Sequence, residues 1–416
     1  MPLVLLGARQ VGKSWLLASF AEAAFDNHIL INLEMDLAVA DVFSGDIHPA
    51  RILSFLETYS SQKITAGKTL IILDEIQACE RALTALKYFR EQAPEYHIAA
   101  AGSLLGVSIN HDKFSFPVGN VDMLTLHPMD FEEFLWARNL ADLADAIRER
   151  SVSMEAMPAA LHDRALEAYR HYLVCGGMPA AIRHLAERGS LAGIATIQQQ
   201  ILDGYLADMA KYAAPSDSVR IRAAFNSLPS QLAKDNRKFQ YKVVQKGGTA
   251  ALFGIAIEWL ASAGTVLHCK KTEQGSSPLA VHVDNASFKL YMGDTGLLCA
   301  KSGLAAQTVL SSMAIDSTFM GALAENYVAQ CLAANGHRLH YWESGGIAEI
   351  DFLIQSGSEI IPVEVKAGLN TRSRSLNQFV QRYHPPFSIR LSMKNFGFEN
   401  GIKSMPLYAA FCITVA

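Results

Sequence analysis

Short apolar runs separated by amphipathic stretches dominate the first 140 positions. Leu3–Leu6, His28–Asn32, Thr69–Asp74 and His97–Ala101 read as buried strands, with helices such as Arg81–Glu91 between them. That alternation predicts a parallel α/β sheet. From 130 to 212 the period becomes helical: Phe131–Arg138, Leu140–Glu149, Met157–Leu173 and Leu191–Tyr212, broken at Cys175-Gly176-Gly177-Met178-Pro179. Residues 216–275 hold short helices, a basic stretch, the apolar helix Ala250–Gly264 and the alternating strand Thr265–Lys270. The last third returns to α/β, with a helix at Leu323–Asn335 and strands at Arg338–Trp342, Ile350–Ile354 and Ile360–Val365. The expected organisation is 1–140, an α/β core; 141–215, a helical lid; 216–285, a winged-helix-like unit; and 286–416, a second α/β domain.

Directly after the first strand comes Gly7-Ala8-Arg9-Gln10-Val11-Gly12-Lys13-Ser14-Trp15. Strand, glycine loop and helix in that order are the context of a phosphate-binding P-loop. Two glycines let the backbone wrap so that successive N–H groups face a β-phosphate. Lys13 supplies charge to the β- and γ-phosphates, Ser14 offers its hydroxyl to Mg²⁺, and the helix N-terminus favours an anion. The strand Leu70-Ile71-Ile72-Leu73-Asp74-Glu75 ends in two carboxylates. Asp74 is placed to hold Mg²⁺ through its water shell and Glu75 to activate the attacking water. Ser103, after the next strand, is placed as a sensing hydroxyl or as a helix cap. ATP and Mg²⁺ are the ligands these residues call for.

A net charge of −4 argues against wholesale polyanion binding, so any nucleic-acid surface is local. The six cysteines carry no metal spacing and read as core residues of a reducing cytosol. No apolar run reaches membrane-span length, and no export signal is visible. A cytoplasmic protein is expected. One local basic stretch, Lys234, Arg237, Lys238, Lys242 and Lys246, carries Phe239 and Tyr241 between its charges. Lys270 and Lys271 follow at the end of a strand, as on a wing. A winged helix on DNA, a solvated face and domain docking all fit this run.

Near the carboxyl terminus, Glu325 lies on a helix, Asp351 on one strand, and Glu364 and Lys366 on the next. Alternation puts Glu364 and Lys366 on one face, with Val363 and Val365 opposite. Asp351 and Glu364 can then share a divalent ion beside Lys366, an arrangement for metal-assisted phosphodiester cleavage. From Lys366 to Lys394 inclusive there are six basic residues, Arg372 and Arg374 among them, and no acidic ones, which suits a nucleic-acid strand. A nuclease-derived scaffold kept for packing or partner binding is the alternative.

GARQVGKS, LIILDEIQ, AAAGSLLG, SFPVG, LHPMDFEEFL, YLVCGGMP, FKLYMGDTGLL, GALAENYV, EIDFLI and PVEVKAG together resemble the bacterial and archaeal AAA-type ATPases that carry a C-terminal domain of unknown function. The resemblance implies a P-loop core with an additional strand, a winged-helix-like middle and a C-terminal fold similar to the PD-(D/E)XK nucleases, Ile350 standing where that motif has proline. Relatives usually have residues ahead of the P-loop strand, where this chain has two, and tend to have a basic residue at the position of Asn120. An incomplete base pocket or a truncated start, and slow hydrolysis, are expected on that basis, with Arg90 and Arg138 as candidate arginine fingers. The function expected is an ATP-driven switch coupled to a DNA-associated nuclease-like module, with a homo-oligomer or a protein partner as the expected assembly. An ATP-gated protein-interaction scaffold with a silent nuclease fold is the other reading.

Overall fold

The computed structural model describes residues 1–103, 119–234, 236–311, 317–369 and 374–415. Two compact units emerge, residues 1–127 with 262–264, and residues 128–261 with 265–416.

In the first unit, β1 (Leu3–Leu6), β2 (Asn27–Asn32), β3 (Thr69–Asp74), β4 (His97–Ala101) and β5 (Asp122–Thr125) form one sheet in the order β2-β3-β4-β1-β5. Every pairing is parallel. The central strands are buried on both faces, as crossover helices require. Val4, Ile71, Leu73 and Ala100 pack on one side with Leu83, Leu86 and Phe89, while Leu5, Leu70, Ile72 and Ala101 pack on the other with Leu17 and Ala21. The insertion of β4 between β1 and β3 is the additional strand expected above. β5 escapes sequence reading because it is a short, wholly exposed edge with no apolar run.

The second unit begins with helices at Phe131–Ala137, Ala141–Ser153, Ala159–Cys175, Pro179–Arg188, Ile194–Tyr212 and Pro215–Leu232. A capping box between Asp130 and Glu133 starts the first of them. An eight-stranded sheet follows: β6 (Val266–Thr272), β7 (Val283–Met292), β8 (His340–Ser344), β9 (Ala348–Ser356), β10 (Glu359–Val365), β11 (Ser388–Ser392), β12 (Gly397–Glu399) and β13 (Ile402–Pro406). Its order is β12-β13-β11-β10-β9-β8-β6-β7. The antiparallel meander β8-β9-β10 is preceded by the helix Ser317–Ala334, and the helix Arg374–Tyr383 carries the chain over to β11, parallel to β10.

Two expectations are corrected here. The strand assigned to a wing is β6, which pairs with β8 of the carboxyl-terminal sheet as well as with β7, and the expected boundary at 285/286 cuts through β7. An alternating strand announces a sheet without naming its neighbours. Nor does the basic stretch form a recognition helix among the described residues: Lys238 bridges to Lys289 on β7, the Phe239 N–H donates to the Phe288 carbonyl, and within 236–246 only Tyr241–Val244 is helical.

The break at Cys175-Gly176-Gly177 has a packing cause. The Gly177 N–H donates to Asp294 Oδ2 at 2.5 Å. A Cβ on Gly177 would stand 2.1 Å from the Met129 carbonyl oxygen. Burial raises the Asp294 carboxyl to about 6, against the pull of the backbone N–H groups of Gly177, Leu297 and Gly296.

Candidate functional site

The glycine loop runs from β1 into the helix Lys13–Ala24. Gly7 sits at φ 137° and Gly12 at φ 97°, where L side chains are strained, and a Cβ on Gly7 would lie 2.2 Å from the Leu126 carbonyl oxygen. Lys13 is buried inside the loop and donates to the carbonyls of Gly7 at 2.9 Å and Ala8 at 2.8 Å. Burial lowers its ammonium to about 8, opposed by the nearby carboxylates of Glu75 and Asp74 and reinforced by Arg9. Ala8 and Val11 are buried, Arg9 is half-buried and Gln10 is exposed. Trp15 is 73% exposed, so its side chain points away from the packed face formed by Leu17 and Ala21.

β3 delivers the acidic pair. Ser14 Oγ donates to Asp74 Oδ2 at 2.7 Å, and the Glu75 N–H donates to Asp74 Oδ1 at 3.0 Å. Glu75 occupies the left-handed region at φ 50°. Its Oε2 accepts from Gln77 Nε2 at 2.5 Å and from Ser103 Oγ at 3.4 Å. Lys13, Ser14, Asp74, Glu75 and Ser103 are thus gathered at the carboxyl end of the sheet, where ligands of open α/β sheets bind. Gln77 was not singled out in the sequence. Its place two residues beyond the carboxylate, on a buried turn, was the available signal.

In the second unit, Asp351 and Glu364 share a face of the β9–β10 pair, one step beyond the Val363–Phe352 register. The Val365 N–H donates to Asp351 Oδ2 at 2.8 Å, and Lys366 Nζ lies 2.7 Å from Glu364 Oε1. Burial pulls the Lys366 ammonium down, but Glu364 and Asp351 carry it above its ordinary value. Glu325, from the helix Ser317–Ala334, is 2% exposed and ion-paired to Arg237. It also accepts from Tyr291 Oη at 3.1 Å, with Lys289 Nζ 3.7 Å away. Lys289 is fully buried and pairs with Glu349 at 2.5 Å. The expected acidic site is therefore a charge-compensated cluster. No group of three or more His, Cys, Asp or Glu among the described residues is arranged to hold a metal ion. Lys289 and Glu349 were missed, although a lone lysine inside Phe288-Lys289-Leu290-Tyr291 signals a paired buried charge.

The basic stretch dissolves in the same way. Arg237 binds Glu325, Lys238 binds Glu343, and Lys234 Nζ donates to Gln240 Oε1 at 3.2 Å. Phe239 is buried, stacked on Phe288 with centroids 5.4 Å apart. Of the expected nucleic-acid contacts, Lys242, Lys246 and Arg374 are exposed, whereas Arg237 and Lys238 are spent on internal pairs. Arg372 lies outside the described residues, as do Asp235 and most of SFPVG. Among the described residues no helix is long and apolar enough to cross a membrane.

Residues 1–135 match a family described as AAA domain. Residues 166–308 and 320–410 match two families described as Domain of unknown function (DUF8612) and Domain of unknown function (DUF4143). No curated protein matches the chain. Among solved structures it is similar to the Walker-type ATPase paby2304 of Pyrococcus abyssi, at 15% identity and a TM-score of 0.43, covering 72% of this chain and 90% of that one. Another is the ORC1 protein of Aeropyrum pernix in complex with DNA, at 13% identity and a TM-score of 0.29, covering 75% and 86%. A third is the RuvB Holliday junction branch migration motor of Thermotoga maritima, at 15% identity and a TM-score of 0.27, covering 64% and 80%.

Proposed function

We propose that this chain, whose residues 1–135 form an AAA-type P-loop ATPase domain, is an ATP-driven switch that binds and hydrolyses Mg·ATP. The observation that carries the reading is the meeting of Lys13 and Ser14 from the glycine loop with Asp74 and Glu75 from β3. The donor set fits the ligand. Ser14 Oγ and Asp74 Oδ2, 2.7 Å apart, are hard oxygen donors of the kind Mg²⁺ selects, and the side-chain-free Gly7 leaves room for close backbone approach. Bound Mg²⁺ supplies charge neutralisation at the β- and γ-phosphate oxygens.

The remaining work falls to the chain. Lys13 exchanges the carbonyls of Gly7 and Ala8 for phosphate oxygens, gaining a charged acceptor in place of a neutral one. Loop N–H groups and the start of the helix Lys13–Ala24 hold the β-phosphate. Glu75 orients the attacking water and takes its proton, with Gln77 and Ser103 fixing its Oε2. The test is nucleotide affinity by equilibrium titration. Lys13→Ala is expected to weaken ATP binding by at least about tenfold, the worth of a charge-assisted hydrogen bond. Unchanged affinity overturns the reading.

For the carboxyl-terminal sheet, the pairing of Glu325 with Arg237 and Lys289 favours a catalytically silent scaffold over a nuclease. Glu325, Glu349 and Glu364 each face a lysine or arginine already, so a divalent ion would have to displace those cations. On this reading the nucleotide state of the AAA-type domain is passed to a partner-binding module, with Lys242, Lys246 and Arg374 as its exposed cations. Plasmid and single-stranded DNA are expected to stay intact with Mg²⁺ or Mn²⁺, with and without ATP. Cutting that disappears in Asp351→Ala would restore the nuclease.

A further inference from the structure

The carboxyl-terminal sheet has a second polar feature, on the face opposite the Glu325 cluster. Across β6, Lys270 stands opposite Phe288 on β7 and His340 on β8, and His268 shares its face two residues earlier. Cys269 and the opposed Lys289 point to the other face, where Lys289 meets Glu349. On the first face a cavity of about 770 Å³ is lined by Lys270, His268, His340, His337 and Arg338, with no carboxylate in its wall. That size suits a small organic ligand.

Lys270 and Arg338 are exposed, and among the described residues neither side chain forms an ion pair or donates a hydrogen bond. They contrast with Arg237, Lys238, Lys271 and Lys289, each of which has a carboxylate on the opposite face or along its edge. The helix Ser317–Ala334 ends at this cavity, and three of its last carbonyls are already capped. Those of Cys331, Leu332 and Ala333 accept from the N–H groups of Asn335, His337 and Gly336.

The histidines add a second kind of recognition. His337 Nε2 lies 3.0 Å from the Ile413 carbonyl and His340 Nδ1 lies 3.1 Å from the Arg338 carbonyl. A carbonyl only accepts, so these nitrogens carry the hydrogens. Burial holds both imidazoles below their ordinary value, which keeps them neutral and leaves the second nitrogen of each ring an acceptor. His268 is neutral as well, lowered to about 4 by burial and by Lys270. Leu267, Val281, Val283 and Leu339 supply an apolar wall.

Two unpaired cations, acceptors for hydroxyl or amine donors, and an apolar wall together describe one ligand chemistry. We propose that this cavity binds a small phosphate monoester bearing hydroxyl groups, of the nucleoside monophosphate kind. Lys270 and Arg338 hold the phosphate, and His337 and His340 accept from its sugar or base. The lining residues are none of those assigned to the P-loop, and the proposal rests on none of the P-loop reading.

The experiment is calorimetric titration of the full chain carrying Lys13→Ala, which weakens the P-loop as a competitor, with AMP, ribose 5-phosphate and inorganic phosphate as probes. AMP is expected to bind, and Lys270→Glu and Arg338→Glu are each expected to weaken it by at least about tenfold. Lys270→Gln and Arg338→Gln, milder changes at exposed positions, guard against misfolding and are expected to weaken it in the same direction. Ribose 5-phosphate binding as well as AMP assigns recognition to the sugar phosphate, and AMP binding alone assigns it to the base; both support the site. No AMP binding, or binding that all four variants leave unchanged, overturns it. Inorganic phosphate binding as tightly as AMP also overturns it, since the organic part would then contribute nothing.

Discussion

Ser14 Oγ and Asp74 Oδ2 meet at 2.7 Å although 60 positions separate them in the chain. Ser14 lies on the helix that follows β1 and Asp74 ends β3, and these two strands are not neighbours, because β4 lies between them. The contact therefore depends on the sheet order as a whole, and it brings together a hydroxyl and a carboxylate, oxygen donors of the kind Mg²⁺ takes. Ser14→Ala removes one of the two and leaves Lys13 in place. The Mg²⁺ concentration giving half-maximal ATP turnover is expected to rise roughly tenfold, the usual cost of disturbing a metal site's ligand shell. A magnesium titration of the turnover rate checks this, and an unshifted midpoint would remove Ser14 from the site.

Lys13 gives the site a pH signature. Its ammonium is lowered to about 8 by burial, and an arriving phosphate raises it by adding negative charge. Below about pH 8 the free protein already carries the proton, so affinity is flat in this group. Above that value binding must take up a proton, and affinity falls by up to about tenfold per pH unit. Equilibrium ATP binding between pH 7 and roughly pH 9.5 measures the slope, which Lys13→Ala should abolish.

In the second unit, Glu325 is almost fully buried beside Arg237. Arg237→Met leaves that carboxylate with Tyr291 and the more distant Lys289, and should cost roughly 3 kcal/mol in stability. Replacing both partners, Arg237→Met with Glu325→Leu, should recover most of the loss. Urea denaturation of the single and double variants closes the cycle. Strictly additive losses would show that the pair is not coupled.

The geometry of the candidate nucleotide site was almost entirely legible in the sequence, because a P-loop pattern packs strand, turn and helix into consecutive residues. Gly7, Gly12, Lys13 and Ser14 need only local geometry, and an apolar strand closing on Asp74 and Glu75 carries its own direction. The carboxyl-terminal cluster was legible only in part. Alternation placed Glu364 and Lys366 on one face correctly, whereas the partners of Glu325 come from Arg237 and Lys289, which no local pattern ties to it. The same limit misassigned β6 to a wing: its apolar-polar alternation was visible, but its pairing with β8 is a long-range fact. Phe239 and Tyr241 read only as aromatics interleaved in a basic stretch for a related reason, since the packing of both rings against Phe288 is a tertiary property.

The most direct test of the ATPase claim is single-turnover hydrolysis by Glu75→Gln compared with wild type, with ATP binding measured in parallel. Glutamine keeps the shape and the contacts from Gln77 and Ser103 within reach but takes no proton. Binding is expected to be retained while the hydrolysis rate falls by at least about 100-fold, the contribution of a positioned general base. Hydrolysis at the wild-type rate in Glu75→Gln would contradict the assignment of Glu75 and, with it, the proposed chemistry of the site.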